Sequence, residues 1–311
     1  MMSLLQIYHF IKSNTIDYVD IDYSLWLTWC LTPLIVTFLL PAVIALLLYI
    51  SALILYIYKL HWRHIRTALI VGDKWEAARK LVAVIWDAHG WIWHGYEIQG
   101  LENLPLNGPA LIVYYHGAIP IDIYYFLAKV ILTHNQRTVH TVADHFLFRI
   151  PGFSIIADCM KVIPAIAPGG VFEAQFSINY GLMWKRRLGF AKAAIESKVP
   201  VIPIFTENTR EAFRTVHIGR KFFLKLYSWT KFPFAPIYGG FPVKLTTHIG
   251  EPIYYEPGIT PEDLQKKVAV SLENLISRHQ RIPGNILLSI LERIPYIRKK
   301  IQARKHERYE N

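Results

Sequence analysis

The hydrophobic pattern divides the chain into two unlike parts. Near the N-terminus, no charged residue occurs between Ser24 and Tyr58, and Pro33 and Pro41 interrupt the apolar run. About 20 apolar residues cross a bilayer as one helix, so this segment is long for one upright span and short for two. The pattern predicts a membrane segment over residues 24–58. It leaves open one span or a hairpin that turns near Pro41.

The charges flanking this segment predict its orientation. Aspartates at positions 17, 20 and 22 precede it, and Lys59, Arg63 and Arg66 follow it. Positive side chains favour the cytosolic side, so the residues after the segment are expected in the cytosol. In the hairpin form the N-terminal arm, residues 1–23, is cytosolic as well. Residues 59–95 are expected to continue the chain through a helix from Asp73 to about Trp93.

From about residue 96 the pattern alternates between strands and helices. Short apolar runs rich in β-branched residues predict strands, and longer amphipathic stretches predict helices. Such alternation predicts an α/β domain over residues 96–292, with a sheet covered by helices on both faces. The predicted strands are residues 110–115, 138–143, 162–167, 199–205 and 243–249. Three helices are predicted: one after Pro120, one from Leu182 to Lys198, and one after Thr260.

The last of these helices has the clearest sequence signature. Thr260 is a typical N-cap, Pro261 suits the first turn, and two acids complement the helix dipole. Apolar residues then recur at helical spacing and predict one buried face. That face comprises Leu264, Val268, Leu272, Leu275 and Ile276.

Composition favours lipid over nucleic acid as the partner. The formal net charge is +11, but 53% of the residues are hydrophobic. Residues 220–234 interleave cations with aromatic side chains, as an element in a membrane interface does. The basic tail, residues 293–311, is expected either to lie on anionic lipid or to form a solvated helix. Two cysteines, Cys30 and Cys159, predict neither a disulfide framework nor a metal site.

A histidine and an aspartate carry the strongest chemical signal. His116 directly follows the apolar strand 110–115, and Asp122 lies at the start of the next predicted helix. In α/β folds, ligands bind at the carboxyl ends of the strands. An imidazole oriented by a carboxylate is a minimal general-base pair, although Asp122 is also explained by the helix dipole alone.

Two further blocks are expected near this pair. Gly169 and Gly170 allow a close backbone approach to a ligand, and Glu173 adds a carboxylate; an ordinary Gly-Gly turn is the alternative. The strand 199–205 contains Pro200 and Pro203. Because proline is confined to edge strands and bulges, this strand is expected to form a groove wall.

The order and type of these blocks resemble the glycerolipid acyltransferase family. Its hallmark is a strand-terminal His closely followed by Asp, then a glycine block with Glu, then an apolar strand with prolines. Within the family the chain is most similar to the membrane-bound relatives of monoacylglycerol and diacylglycerol acyltransferases. The stretches 115–122, 233–243 and 279–285 carry this similarity. The resemblance implies a glycerol-3-phosphate acyltransferase-like sheet, preceded by the transmembrane helix or hairpin.

The resemblance also implies acyl transfer from acyl-CoA, as co-substrate, to a glycerolipid hydroxyl at the endoplasmic reticulum membrane, without a cofactor or metal. His116 is then the general base and Asp122 holds its tautomer. Backbone N–H groups near Gly117 or Gly169 and Gly170 are expected to stabilise the oxyanion. The expected substrate-binding residues are Gly117, Gly169, Gly170, Glu173, Pro200 and Pro203. The cations at positions 185–187 are candidate contacts for the CoA phosphates or a solvated helix face.

Three features depart from the family pattern. Five residues separate His116 from Asp122, where the broad family usually has four. Phe172 occupies a position at which similar sequences have arginine. The stretch from Asp158 to Gly169 is also short, so an expected helix and part of a strand are absent. A lysophospholipid acyltransferase and a catalytically impaired lipid-binding protein therefore remain alternatives.

Two other enzyme classes fit the sequence poorly. A lipase-like serine hydrolase requires a Gly-x-Ser-x-Gly elbow, and no serine has that setting. A metal hydrolase requires closely spaced ligands, for which His140, Asp144 and His145 are the nearest set.

Overall fold

The computed structural model describes residues 23–65, 75–105, 108–133, 165–184, 186–216, 218–230 and 236–301. The described helices are α1 (Tyr23–Ile65), α2 (Glu76–His94), α3 (Ile121–Thr133), α4 (Gly170–Phe176), α5 (Gly189–Ser197), α6 (Thr209–Ala212), α7 (Arg220–Thr230), α8 (Pro261–His279) and α9 (Ile286–Leu291). The described strands are β1 (Glu97–Gln99), β2 (Leu111–Tyr114), β3 (Ala165–Ile166), β4 (Val201–Thr206), β5 (Phe213–Thr215), β6 (Ile237–Gly239) and β7 (Thr246–Ile249).

A mixed sheet forms the centre of the domain. Its described strands lie in the order β1-β7-β4-β2-β3, and β5 pairs with β6 in a separate ribbon. Strands β4, β2 and β3 are parallel, β1 is parallel to β7, and β7 is antiparallel to β4. The carboxyl ends of β2, β3 and β4 therefore meet at one edge, which is the edge that the sequence predicts to bind ligands.

Helices cover both faces of this sheet. On one face, Ile202 and Ile204 of β4 pack against Phe126 and Leu127 of α3. On the other face, Val201 and Phe205 join a core cluster with residues of α5 and α8. The predicted α/β sheet covered by helices is confirmed. The capping prediction for α8 is also confirmed, because the Thr260 side chain accepts the Asp263 N–H and Leu264, Val268, Leu272 and Ile276 are buried.

The apolar N-terminal segment forms one continuous helix instead of a hairpin. Both Pro33 and Pro41 lie inside α1, and the part from Leu27 to Lys59 is long and apolar enough to cross a membrane. One side of its C-terminal half packs on the domain. There, Leu55 is fully buried and the Trp86 indole N–H donates to the Ser51 hydroxyl at 3.3 Å.

Two predicted elements are shorter in the structure than the sequence suggests. The helix expected from Leu182 begins at Gly189, because the Met183 N–H donates to the Glu173 carboxylate, and the described residues 182–184 and 186–188 are not helical. The strand expected from Val243 begins at Thr246. Before it, the Lys244 N–H bonds to the Ser289 carbonyl and the Leu245 N–H to the His94 carbonyl, so neither joins the ladder.

The proline-containing strand is central, so of the two settings expected for its prolines the structure shows a bulge and not an edge. Strand β4 lies between β2 and β7, with Pro203 opposite Val113. On the β7 side, Ile204 pairs with Ile249 but Val201 pairs with Ile253, which leaves one extra residue opposite Pro203. The missing N–H of Pro203 falls at this bulge, where the ladder does not need a donor.

The beginning of the basic tail docks on the domain. The Arg298 guanidinium donates to Glu97 at 2.6 Å and to the Thr246 hydroxyl at 3.1 Å, and Arg293 donates to the Ile92 carbonyl. Several predictions lie outside the described residues. They concern the N-terminal arm before Tyr23, the strand at 138–143, the set His140, Asp144 and His145, the shortened segment before Ala165, Lys185, and residues 302–311.

Candidate active site

His116 lies just beyond the carboxyl end of β2. Its Nδ1 is 2.7 Å from the Gly117 carbonyl oxygen, and its ring stacks on Tyr114. A carbonyl only accepts, so Nδ1 carries the proton of the neutral imidazole. The lone pair of that ring is then on Nε2, which is the atom able to take a proton from a substrate.

Glu173 connects the glycine block to this histidine. The Glu173 carboxylate accepts the His116 N–H at 3.1 Å through Oε1 and the Met183 N–H at 2.8 Å through Oε2. Burial raises the pKa of Glu173 to about 7, although both hydrogen bonds act in the opposite direction. Both oxygens are thus engaged by the backbone, and Glu173 positions the segment that bears His116.

The two glycines sit where other residues do not fit. A Cβ added to Gly169 would lie 2.3 Å from atoms of the Glu173 side chain, and Gly170 has a φ of +49°. The Gly170 N–H donates to the Ala167 carbonyl within this turn. The sequence suggested that the Gly170 N–H could bind an oxyanion. In the structure this N–H is already bonded to the Ala167 carbonyl and is not offered to a ligand.

Asp122 lies in the first turn of α3 and is 4% exposed. Burial raises the pKa of Asp122 to about 6, and hydrogen bonds from the Thr206 hydroxyl and from backbone N–H groups partly oppose this. Thr206 continues a chain of hydroxyls through Thr247 to Tyr96. The Oδ1 atom is buried and has no hydrogen-bond partner within the described part of the chain. Orientation of the His116 ring by Asp122 stays a prediction.

A buried polar cluster that the sequence did not reveal supports the site. The Arg210 guanidinium donates to the Tyr115 hydroxyl at 2.5 Å and to the carbonyls of Glu173 and Ala174. Tyr180 donates to Glu211 at 2.5 Å. All belong to or contact the run Thr206–Glu211, whose polar sequence is typical of an exposed loop. The one feature of the sequence that could have indicated this cluster is a strongly polar run directly after a buried strand.

The cations after the glycine block are not alike. Arg187 donates from Nη1 to the carbonyls of Pro168 and Gly169, at 2.9 and 2.7 Å, so it stabilises the turn that precedes α4. Arg186 is exposed. The Phe172 ring centroid lies 5.3 Å from that of Phe176 and 6.4 Å from that of Tyr227. Arg187 is exposed as well, and contact of these cations with a CoA phosphate stays a prediction.

One group of side chains has the composition of a metal site. Glu207, His248 and His279 place possible ligand atoms within 4.8 Å of one another. However, the two imidazole rings are stacked, 3.6 Å apart and 13° from parallel. A shared ion would lie out of both ring planes, away from the nitrogen lone pairs. The group is better described as a buried pair, in which His248 Nε2 is 2.6 Å from Glu207 Oε1, with the half-buried His279 ring stacked on His248.

A strand-terminal histidine, a glycine turn and a mixed sheet are compatible with an acyltransferase. A family model described as "Acyltransferase" matches residues 95–167. The chain is 47% identical over 294 residues to a human protein named "DGAT1/2-independent enzyme synthesizing storage lipids", with 89% of each chain covered. A chicken protein of the same name is 45% identical, with 90% of this chain and 88% of that protein covered. The chain belongs to this acyltransferase family.

Two more distant proteins share part of the chain. An uncharacterized protein of Mycobacterium tuberculosis is 25% identical, and the match covers 52% of each chain. The crystal structure of the 1-acyl-sn-glycerophosphate acyltransferase PlsC from Thermotoga maritima superposes with a TM-score of 0.47 at 18% identity. It covers 74% of this chain and 95% of that one.

Proposed function

We propose that this acyltransferase moves an acyl group from acyl-CoA to the free hydroxyl of a mono- or diacylglycerol, and forms triacylglycerol from diacylglycerol. It acts at the endoplasmic reticulum membrane, with α1 in the bilayer and the domain on the cytosolic side. The names of the vertebrate relatives, which refer to storage lipids, support the substrate class. The length and apolar composition of α1 support the membrane location.

The single observation that carries the mechanism is the Nδ1 contact of His116 with the Gly117 carbonyl oxygen. It leaves Nε2 unprotonated in the neutral ring. As the acceptor oxygen bonds to the thioester carbonyl carbon, Nε2 takes the hydroxyl proton. The tetrahedral intermediate then collapses, the C–S bond breaks, and the proton passes to the departing thiolate of CoA.

Asp122 has an electrostatic part in this proposal. While His116 carries the extra proton it is an imidazolium, and a nearby buried carboxylate stabilises that charge. Among the described residues the buried Oδ1 of Asp122 has no hydrogen-bond partner, which supports this assignment, because such an oxygen costs stability and is retained chiefly at functional sites. Backbone N–H groups near Gly117 and Gly169 are the proposed stabilisers of the oxyanion, and no cofactor takes part.

Cells that lack their own triacylglycerol synthesis test this proposal. We expect triacylglycerol to accumulate with the wild-type chain and not with His116→Ala at equal expression. Glu196→Gln, an exposed surface change on α5, is the control and should behave as wild type.

Other outcomes of the same experiment identify the alternatives. Acylated phospholipid without triacylglycerol would indicate a lysophospholipid acyltransferase. Equal, empty lipid profiles for all three chains would indicate a lipid-binding protein that has lost turnover. In that case, a chain with the short segment before Gly169 lengthened to the family pattern should regain activity.

A further inference from the structure

Helix α7 presents two aromatic side chains and two cations to the outside. None of its residues is buried and none is acidic. Trp229 is 83% exposed and Phe222 is 64% exposed, while Lys221 and Lys225 share the same face. The surfaces of soluble proteins seldom expose several large aromatic side chains together. Trp and Phe beside Lys are typical of a helix that lies in a bilayer interface.

The opposite side of α7 contacts the helix that holds Glu173. The Tyr227 ring is 6.3 Å from Phe176, and the Arg220 guanidinium donates to the Phe176 carbonyl at 2.7 Å. Phe176 is the last residue of α4, which begins in the glycine block. Helix α7 is therefore fixed to the site on one side and has an open face on the other.

The geometry of α1 brings a bilayer to this region of the domain. Residues 27–36 of α1 are exposed, and beyond them Phe38 lies 6.2 Å from Tyr238 between ring centroids and Leu40 lies against Gly240. The preceding residues 23–37 form about 22 Å of helix, less than the roughly 30 Å of the hydrocarbon layer. A spanning α1 thus requires the bilayer to reach the β6 side of the domain, and β6 follows α7 in the chain.

We infer that the outer face of α7, formed by Lys221, Phe222, Lys225, Ser228 and Trp229, lies in the interface of an anionic bilayer. This inference rests on the proposed insertion of α1. The aromatic rings lie at the boundary between headgroups and acyl chains, and the lysine ammonium groups reach lipid phosphates. Acceptor lipid then leaves the bilayer beside α4 and the glycine turn.

Spin-label depth measurements on the full chain test this inference. In a background with Cys30 and Cys159 replaced by serine, single cysteines are introduced as Ser228→Cys on α7, Leu46→Cys on the exposed side of α1 and Lys266→Cys on α8. Each protein is labelled with a nitroxide and reconstituted into vesicles of phosphatidylcholine with phosphatidylserine. Accessibility to oxygen reports bilayer immersion, and accessibility to a water-soluble nickel complex reports exposure to water.

The label at 228 is expected to be immersed like that at 46 but less deeply, and the label at 266 to be in water. Adding Phe222→Ala and Trp229→Ala should return label 228 to water, and Lys221→Glu with Lys225→Glu should do so on anionic vesicles. Label 46 immersed with label 228 in water would overturn the inference alone. Both labels in water would overturn the membrane part of the proposed function as well. Label 228 shielded from both reagents would indicate a protein partner and also contradict the inference.

Discussion

Asp122 and Glu173 are both buried carboxylates, but their surroundings differ. Glu173 has both oxygens bonded to backbone N–H groups, whereas Asp122 leaves Oδ1 without a partner among the described residues. The first arrangement holds a segment in place. The second leaves a buried acceptor available, which is a common property of a group that acts during a reaction.

Replacement of Asp122 by asparagine should separate stability from activity. Burial raises the pKa of Asp122 to about 6, so the folded state binds the proton more tightly than the unfolded state. The contribution of Asp122 to stability should therefore fall as the pH rises from about 4 to 6 and stay level above that. Asparagine does not ionise, so Asp122→Asn lacks this pH-dependent loss of stability and should melt at an equal or higher temperature at pH 7. Its rate of acyl transfer should fall about 100-fold.

Melting curves between pH 4 and 8, recorded in detergent beside transfer rates, check this prediction. An asparagine variant that keeps full activity would exclude Asp122 from the reaction. A variant that loses stability and activity together would show a structural role only.

Replacement of Glu173 by glutamine should slow turnover without preventing folding. A glutamine side chain has one acceptor oxygen, so its NH2 group meets the N–H of either His116 or Met183. One buried N–H loses its partner, at a cost of about 1–3 kcal/mol. We expect kcat to fall about tenfold and the KM for acyl-CoA to stay unchanged, as measured with purified protein. An unchanged kcat would contradict the positioning role.

At the scale of elements, the turn before α4 depends on Gly169. Because an added Cβ would lie 2.3 Å from the Glu173 side chain, Gly169→Ala should displace Glu173 and reduce acyl transfer at least about tenfold. Gly189→Ala is the matched control, since nothing lies within 4 Å of its added Cβ and alanine favours a helix. Equal activity of the two variants would contradict the close contact.

Hydrophobic periodicity predicted those elements whose boundaries are set locally. The cap at Thr260 and the turn at Pro120 fix α8 and α3 through nearby residues. Prediction failed where distant groups decide the structure. The Met183 N–H is taken by Glu173, and the run from Thr206 to Glu211 is buried because Arg210 and Glu211 find partners on other elements. A single sequence does not show such pairings.

At the scale of the molecule, α1 is both a membrane helix candidate and part of the domain core. Leu55 is fully buried against the domain, whereas Leu53 on the same helix is 56% exposed. The sequence predicted the segment but not this packing, because its apolar residues extend all round the helix and mark no single face.

Replacement of each of these two leucines by alanine should therefore have unequal effects on stability. Leu55→Ala should destabilise the protein by about 2–4 kcal/mol, because it leaves a cavity between α1 and the domain. Leu53→Ala should change stability by less than about 0.5 kcal/mol. Thermal unfolding in lipid nanodiscs measures both. Equal effects would mean that α1 does not pack on the domain in a bilayer.

The central claim is that Nε2 of His116 takes the proton of the acceptor hydroxyl. The most direct measurement is the transfer rate from radiolabelled acyl-CoA to diacylglycerol for purified wild type and His116→Gln in nanodiscs. Glutamine keeps a polar side chain but takes no proton. We predict a rate at least about 100-fold lower with an unchanged melting temperature. A His116→Gln protein that transfers acyl groups at the wild-type rate would contradict the account.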